Sequence, residues 1–336
     1  MLEFTQADLK TIAERLLDMQ PDPMPRFRLL RDVLRCDPAA ASYQEAERDL
    51  LQSKWVSLLA DSQWDDGTWG RFHTQDTSKK QPFPTTESAV AIALELGLDR
   101  HSSILQKAIP TILDYVDGKA AWPDPPEKHD NPQAWYVWVR HYSAAILALI
   151  DPHHAWLDEF WRLWAEALQA AFQSGAYDRQ REIVALNALM QCRMKNPVPF
   201  HVRYPLLILS ATHNRLSDDL ERRMLDFVMH YPAGIYYVYG KDISVLPPIL
   251  SRDFGHWFYA HRLLSRFRLW KELAVDGLNW IWAQRAPEGF WDFGSKIGRK
   301  PYTGFPLSES WRRSENRIID CTTSVLGLLS KCFDDE

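Results

Sequence analysis

The chain of 336 residues is 46% hydrophobic, which is enough to bury a substantial core in one large domain or two ordinary ones. Its 39 basic and 44 acidic side chains are spread along the sequence without a basic arm or stripe, so a nucleic-acid partner is not expected. The four cysteines (Cys36, Cys192, Cys321 and Cys332) form no CxxC pair, as in proteins of a reducing compartment, and no apolar run is long enough to predict a transmembrane helix.

Apolar side chains recur with helical period from the first residues onward. The N-terminal stretch MLEFTQADLKTIAERLLDM is amphipathic and acidic and lacks the basic-then-apolar pattern of a signal peptide, so we expect a cytoplasmic location. Periodicity and the punctuating prolines and glycines predict helices over 6–18, 26–35, 43–62, 85–97, 101–117, 134–150, 154–173, 178–193, 203–212, 216–231, 252–268, 270–284 and 319–331. The best strand signal is the short run IYYVY at 235–239, so the predicted fold class is all-α.

The predicted helices are of two kinds. AVAIALELG, SAAILALI, VALNALM and TTSVLGLL are rich in small residues and polar only at their starts, as in helices that are buried all round. LDEFWRLWAEALQAAFQ and LWKELAVDGLNWIWAQ carry charges on one side, as in helices at the surface. Their alternation predicts two concentric layers of helices, or an array of helical repeats.

Two tryptophan-rich turns each join an outer helix to an inner one. The first is QWDDGTWG, with Gln63, Trp64, Gly67 and Trp69. The second is QRAPEGFW, with Gln284, Gly289 and Trp291, and it has one more residue between glutamine and glycine. We expect glutamine to cap a helix end, tryptophan to pack over the turn, and glycine to supply a backbone conformation that other residues resist. The two turns therefore indicate a degenerate repeat with a structural role.

This pattern resembles the QW repeat of the squalene cyclase and protein prenyltransferase β-subunit superfamily, clearly so over 51–97 and 270–331. The ending GFWDFG…FPLSESWRR…NRIIDCTTSVLGLL is similar to uncharacterised bacterial proteins that carry the prenyltransferase and squalene oxidase repeat. The resemblance implies an α/α toroid, a double barrel of about six inner and outer helix pairs, over 51–336 with an N-terminal helical cap over 1–50. It also implies an isoprenoid or other small hydrophobic ligand in a central cavity, bound or transformed as by a cyclase or transferase.

The carboxylate motifs of that superfamily are missing. No Asp-x-Asp-Asp acid and no Asp-Asp-x-x-Asp magnesium motif occurs, since Asp65-Asp66 lies in the first turn and Asp218-Asp219 begins an exposed helix. Asp320-Cys321 does not match the Asp-x-Cys zinc pair, because adjacent helical residues point about 100° apart. We interpret Asp320 as a helix N-cap and Cys321 as a core residue. No metal site and no cofactor is therefore predicted, with magnesium and zinc left open.

Polar side chains at the starts of the inner helices are the remaining candidates for a site. Those predicted to line a cavity are Glu87, Arg140, His141, Glu182 and Tyr204, the last in a weaker cluster with His201 and Arg203. Asp253, His256 and Tyr259 are spaced three apart and share one helix face. A carboxylate beside an imidazole and a phenol can act as a general acid/base group, so these three are the predicted catalytic residues.

Two other function classes fit the same sequence. Trp122, Trp135, Tyr136 and Trp138, with Tyr236, Tyr237 and Tyr239, can line a glycan site, for which Glu127, Asp130, Asp253 and Glu309 are the candidate carboxylates. A toroid without catalytic acids can also be a binding or scaffold protein. An apolar cavity with a lone acid favours isoprenoid chemistry, paired carboxylates in an open groove favour glycans, and a filled centre favours a scaffold. The sequence carries no signal for the oligomeric state.

Overall fold

The computed structural model describes residues 1–76, 78, 80–126, 131–211, 215–294 and 307–334, and these form an all-helical fold. The prediction of an all-α protein is therefore confirmed. The helices are α1 Gln6–Asp18, α2 Pro23–Arg28, α3 Ala41–Leu51, α4 Lys54–Ser62, α5 Thr86–Leu96, α6 Ser103–Asp117, α7 Pro132–Ile150, α8 Leu157–Ala171, α9 Arg179–Leu189, α10 Arg203–Ser210, α11 Asp218–His230, α12 Arg252–Leu264, α13 Trp270–Leu273, α14 Val275–Ala283 and α15 Ser314–Leu329. A π-helical turn, Leu29–Val33, extends α2, and a 3-10 turn, Ser330–Phe333, extends α15.

Local capping explains where several helices begin and end. Thr85 closes a capping box at the start of α5, and Gly97 ends that helix in the left-handed conformation. Two predicted helices are each divided in the structure, at 52–53 between α3 and α4 and at Ala274 between α13 and α14. The run at 235–239 is a tight turn closed by one isolated bridge between Ile235 and Tyr239 and is not a strand.

The burial of the helices follows the two predicted kinds for α5, α7 and α15 but not for α9. The stretch VALNALM was predicted to be buried all round, yet α9 buries only Glu182 and Leu186 and leaves Val184 60% exposed, because it packs mainly against α8. Every residue of α10 is buried, and α5 and α7 are buried over most of their surface. In contrast, α8 and α11 bury one face and place charged residues on the other. Along one line of packing, α5 contacts α7, α7 contacts α10, and α10 contacts α12. The helices α5, α7 and α10 therefore form the interior of the fold, because they have no polar face to present to water.

The first fifty residues pack against the C-terminal helix. Both α1 and α2, with the π-helical turn, contact α15. At the far side of α1, Arg15 donates to the Glu288 carbonyl, 2.8 Å away, in the second tryptophan turn. The N-terminal segment thus shares the core with α15. Within the described part of the chain, no helix is both long and apolar enough to cross a membrane.

The two tryptophan turns have the same hydrogen-bonded structure. The indole Nε1 of Trp69 donates to the Leu59 carbonyl at 3.0 Å, and that of Trp291 donates to the Ile281 carbonyl at 2.8 Å. The backbone N–H of each tryptophan donates to a threonine hydroxyl of an interior helix, 3.0 Å away in both turns; the two acceptors are Thr86 and Thr322. Each turn therefore ties an outer helix to the start or middle of an inner one.

The glutamines of the two turns are not equivalent. Gln63 donates to the carbonyls of Gly67 and Ile104, at 2.9 and 2.8 Å, and so braces the turn as expected. When the turns are aligned on their hydrogen bonds, Gly67 corresponds to Gly289 and Gln63 corresponds to Arg285. The pairing of Gln63 with Gln284 was wrong by one position, because the extra residue lies before the turn and not within it. Trp64 corresponds to an alanine and is 44% exposed.

We expect alanine to be far more destabilising at Gly67 than at Gly289. Both glycines have φ near +85°, where an L side chain costs about 1–2 kcal/mol. A Cβ at Gly67 would lie 2.0 Å from the Lys107 carbonyl oxygen, whereas a Cβ at Gly289 meets only the flexible end of Arg15 at 3.2 Å. Urea denaturation should show a loss above about 3 kcal/mol for Gly67→Ala and about 1–2 kcal/mol for Gly289→Ala. Equal losses would contradict this account of the first turn.

Candidate functional site

A buried ion pair joins the first turns of α5 and α10. The carboxylate of Glu87 and the guanidinium of Arg203 are in direct contact, and these residues are only 3% and 0% exposed. Burying two charges is costly unless they are paired and hydrogen-bonded. Arg203, at the start of α10, therefore compensates the charge of Glu87, which the sequence predicted to face a cavity at the start of α5.

Tyr204 and His73 complete a polar cluster around this carboxylate. The Tyr204 hydroxyl lies 3.1 and 3.2 Å from the two Glu87 oxygens, and the His73 Nδ1 lies 2.7 Å from Glu87 Oε2. The hydroxyl of Tyr204 is also 2.8 Å from His73 Nδ1. Acid, imidazole and phenol thus meet within hydrogen-bond distance, although α5, α10 and the loop after the first tryptophan turn are distant in sequence. We call His73, Glu87, Arg203 and Tyr204 the acid–base cluster.

The backbone of His73 is held by a second buried carboxylate. Asp124 accepts the backbone N–H groups of Phe72, His73 and Thr74, at 2.6–2.7 Å. A carboxylate that binds three consecutive N–H groups fixes the loop in one conformation. The ring of His73 is therefore positioned at both its backbone and its Nδ1 atom.

Aromatic rings surround the imidazole of His73. The ring of Tyr142 stacks on it with centroids 5.4 Å apart, and the rings of Tyr204 and Tyr237 meet its edge at 5.7 and 6.1 Å. Tyr237 is 49% exposed, so the aromatic wall continues to the protein surface. The acid–base cluster thus lies beside an aromatic wall that is partly exposed at Tyr237.

A second polar feature is a pair of overlapping cavities at the other end of the interior helices. Their volumes are about 480 and 520 Å³, within the range of small-molecule sites. The larger has an apolar floor of leucines with Ala91 and Tyr259, and a rim of charged side chains. Both cavities are lined by Arg28, Arg262, Arg266, Gly327 and Lys331.

Most of the cations on this rim have carboxylate partners. Arg28 donates to Asp32 at 2.8 Å, and Arg262 contacts Glu95 at 2.5 Å. Burial opposes the ionisation of Glu95, but the charges of Arg262 and Arg28 outweigh it and lower the pKa of Glu95. At the edge, Lys331 pairs with Asp334 at 3.0 Å. These pairs stabilise the rim without an added ligand.

Arg266 differs from these neighbours. Its Nε donates to the Ser210 hydroxyl at 3.0 Å and its Nη2 donates to the Ala148 carbonyl at 2.9 Å. Within the described part of the chain, its guanidinium contacts no carboxylate, and burial lowers the pKa of Arg266. A guanidinium has five N–H donors, so Arg266 keeps donor capacity on the wall of both cavities.

The cluster and the cavity lie at opposite ends of shared helix faces. On α5, Glu87, Ala91 and Leu94 follow the i, i+4, i+7 spacing of one face, and the latter two line the cavity. On α10, Tyr204 and Leu207 are three residues apart, and Leu207 lines the cavity. At 1.5 Å per residue, Glu87 lies about 6 Å along α5 from Ala91 and about 10 Å from Leu94.

Three other predicted cavity residues have different surroundings. Arg140 donates to the Val116 carbonyl at 2.8 Å. His141 accepts the Trp164 indole N–H at 3.1 Å, and burial, with the charge of Arg140, lowers the pKa of His141 to about 3. Glu182 accepts the Phe200 N–H and the Tyr177 hydroxyl, each at 2.6 Å. These contacts brace helices against neighbouring segments.

The predicted catalytic triplet is dispersed. Asp253 is half exposed and pairs with Lys241 at 2.7 Å, while Nδ1 of His256 lies 3.0 Å from the Val238 carbonyl. Tyr259 instead lines the floor of the larger cavity. Spacing along one helix placed these residues on related faces, but the loop that precedes the helix supplies partners that spacing does not reveal.

Other acidic candidates bind protein groups. Asp66 accepts from Thr68 inside the first turn, and Asp218 pairs with Arg268. Glu309 accepts the Lys54 N–H at 3.1 Å. Glu127 and Asp130 lie outside the described residues.

Asp320 is not a helix N-cap, because α15 begins six residues earlier, at Ser314. It instead accepts from Ser308 and Trp311, and burial outweighs these bonds and raises the pKa of Asp320 to about 6. Burial also raises the pKa of Cys321 to about 12, as expected of a core residue. No group of three or more possible metal ligands occurs among the residues that the structure describes.

Sequence reasoning missed His73, Arg262 and Arg266. His73 lies in the loop after the first tryptophan turn, and its only sequence signal is its position between that turn and an inner helix. Arg262 lies in the last turn of α12, and Arg266 lies in the turn that follows it, two residues beyond the end of the helix.

Comparison with known proteins gave no relatives. No family model matches this chain, and neither a curated protein nor a solved structure matches it.

Proposed function

We propose that the helices form an α/α toroid in which the interior helices surround the cavity. Support comes from the successive packing of α5, α7, α10 and α12, from the equal structures of the two tryptophan turns, and from the lining of the cavity by residues of all four helices. Arg28 contacts the end of α5, while α2 packs on α15. In this arrangement α2 completes the inner ring, and the segment 1–50 is part of the toroid wall as well as its cap.

We propose that the cavity binds an amphiphile with an anionic head group. The observation that carries this proposal is Arg266, a buried guanidinium on the cavity wall whose described contacts are a hydroxyl and a carbonyl. Burial deprives the charged guanidinium of Arg266 of water, and a bound anion would stabilise that charge in its place. Phosphate groups match the forked geometry of the arginine donors. The leucine-lined floor suits the apolar part of such a ligand.

The resemblance to terpenoid cyclases and prenyltransferases favours an isoprenoid diphosphate as the ligand. The charged rim would hold the diphosphate, with Arg266 and Arg262 as the nearest donors, and the chain would extend toward Tyr259. Tyr259 offers an aromatic face at the floor, which also favours an unsaturated chain. Glycan hydrolysis requires two carboxylates that act together, whereas two of the three that line the larger cavity, Asp32 and Glu95, bind arginine.

A thermal-shift titration tests this function. Geranyl diphosphate should stabilise the protein, by about 2.7 kcal/mol at a hundred times its dissociation constant, while geraniol and inorganic diphosphate should each bind more weakly. Arg266→Gln should weaken binding of geranyl diphosphate about 10–100-fold, because a charge-assisted hydrogen bond contributes about 1.5–3 kcal/mol.

The matched control is Arg222→Gln, which removes an exposed arginine that pairs with Glu272. It should leave the affinity unchanged. Equal binding by the wild type and Arg266→Gln, tighter binding of geraniol than of its diphosphate, or no stabilisation by any isoprenoid would each reject the proposal. Stabilisation by an oligosaccharide would favour the glycan alternative.

A further inference from the structure

We propose that the smaller of the two cavities binds the diphosphate end of the ligand, and that Lys271 holds its terminal phosphate group. This placement rests on the proposed binding of an anionic amphiphile. It adds the orientation of the ligand and names the residue that selects a diphosphate over a monophosphate.

Charged and apolar side chains are divided unevenly between the two cavities. Among the described residues, six cations and one carboxylate line the smaller cavity, whereas five cations and three carboxylates line the larger one. The larger cavity also has seven aliphatic side chains, while the smaller has Leu328 with the rings of Phe267 and Trp270. An excess of cations stabilises an anion, and aliphatic side chains favour an apolar chain. The head of an amphiphile therefore belongs in the smaller cavity and its chain in the larger one.

Two cations of the smaller cavity differ from the others in their partners. The four that contact carboxylates are Arg28, Arg262, Arg268 and Lys331. The other two are Arg266 and Lys271, and neither contacts a carboxylate within the part of the chain that the structure describes. These two side chains can therefore bind an anion without first breaking an ion pair.

The surroundings of Lys271 supply no counter-charge from its nearby thiol. Lys271 lies in α13, and its charge acts on the thiol of Cys332. Burial raises the pKa of that thiol to about 12, so the thiol stays protonated and neutral. An ammonium group binds phosphate as a point charge, and a terminal phosphate group would supply the negative charge that Cys332 does not.

The positions of the two cations relative to the cavities give the order of the phosphate groups. Arg266 lines both cavities, whereas Lys271 lines the smaller one and not the larger. A ligand whose chain fills the larger cavity therefore places its first phosphate group at the forked donors of Arg266 and its second at Lys271. A monophosphate in the same position reaches Arg266 alone. Lys271 thus determines the preference for a diphosphate, and Arg266 the affinity for both ligands.

The experiment compares binding of geranyl diphosphate and geranyl monophosphate to the full chain by isothermal titration calorimetry. We expect Lys271→Gln to weaken binding of the diphosphate about tenfold, as for a lost charge-assisted hydrogen bond, and binding of the monophosphate by less than about twofold. Lys271→Arg keeps the charge and should retain most of the preference for the diphosphate.

The matched control is Lys107→Gln, which removes an exposed lysine of α6 that lines neither cavity. Both affinities should stay within about twofold of the wild type, because an exposed charge remote from the ligand contributes little. Equal weakening of the two ligands in Lys271→Gln would overturn the role of Lys271, and so would the absence of any weakening.

Inorganic diphosphate separates failure of this subsite from failure of the proposed function. If geranyl diphosphate binds the wild type and Lys271→Gln equally, the subsite is rejected and the amphiphile site stands. If the wild type binds inorganic and geranyl diphosphate equally and Lys271→Gln weakens both, the subsite stands and the amphiphile is rejected. If neither diphosphate binds the wild type, both proposals are rejected.

Discussion

Replacing Arg203 with methionine is expected to lower the free energy of unfolding by about 3–5 kcal/mol, because it leaves the buried carboxylate of Glu87 without the charge that compensates it. Glu87→Gln should cost a similar amount for the opposite reason, since it removes the negative charge beside a fully buried guanidinium. Urea denaturation of the wild type and each variant measures both losses.

The double variant Glu87→Gln with Arg203→Met should cost much less than the sum of the single changes. Removing both charges together leaves no buried charge, and a buried ion pair replaced by uncharged groups is often nearly neutral. The control is Arg222→Met, which breaks an exposed pair with Glu272 and should cost no more than about 1 kcal/mol. Additive losses, or a loss at Arg203 no larger than at Arg222, would show that the pair is not a stabilising element.

The second large effect is expected on acidification between pH 6.5 and pH 4.5. Burial lowers the pKa of His141, aided by Arg140, and of His261 to about 3, while the unfolded chain has a value near 6.5. The unfolded state therefore binds more protons in this interval. The stability from these two neutral imidazoles is fully present above pH 6.5 and is lost as the pH falls toward 3. At pH 4.5 each should account for a loss of about 2–3 kcal/mol.

Asp320 changes the stability of the fold in the opposite direction on acidification. Its pKa is raised to about 6, so the folded state holds a proton that the unfolded state releases between about pH 4 and pH 6. It therefore adds stability as the pH falls through that interval. The stability lost through His141 and His261 is larger than the stability gained through Asp320. The free energy of unfolding should therefore fall on acidification.

We can test whether these three residues cause the acid sensitivity with variants that keep their hydrogen bonds but do not titrate. Each imidazole accepts an indole N–H through Nδ1, from Trp164 to His141 and from Trp270 to His261. Glutamine supplies a carbonyl oxygen for the same bond, so the double variant His141→Gln with His261→Gln should flatten the dependence of unfolding free energy on pH. Asp320→Asn should steepen it. An unchanged slope in the double histidine variant would place the acid sensitivity elsewhere.

The sequence by itself determined the helical segments and, except for α9, which of the assigned helices are buried and which are one-sided. Helical periodicity and capping residues act over a few positions, so α1 was predicted with its observed bounds and α5 within one residue at each end. The glycines of the two tryptophan turns were also readable, because a left-handed backbone is a local requirement.

Only the tertiary structure decided which polar residues meet. Glu87 and Tyr204 were predicted to face a common cavity, but their contact with His73 depends on a loop that Asp124 holds from 51 residues away. Asp253 and His256 had suitable spacing, yet Lys241 and Val238 are their partners. Spacing along a helix fixes the face on which a side chain lies, whereas its partner is set by the packing of distant segments, which the local pattern does not encode.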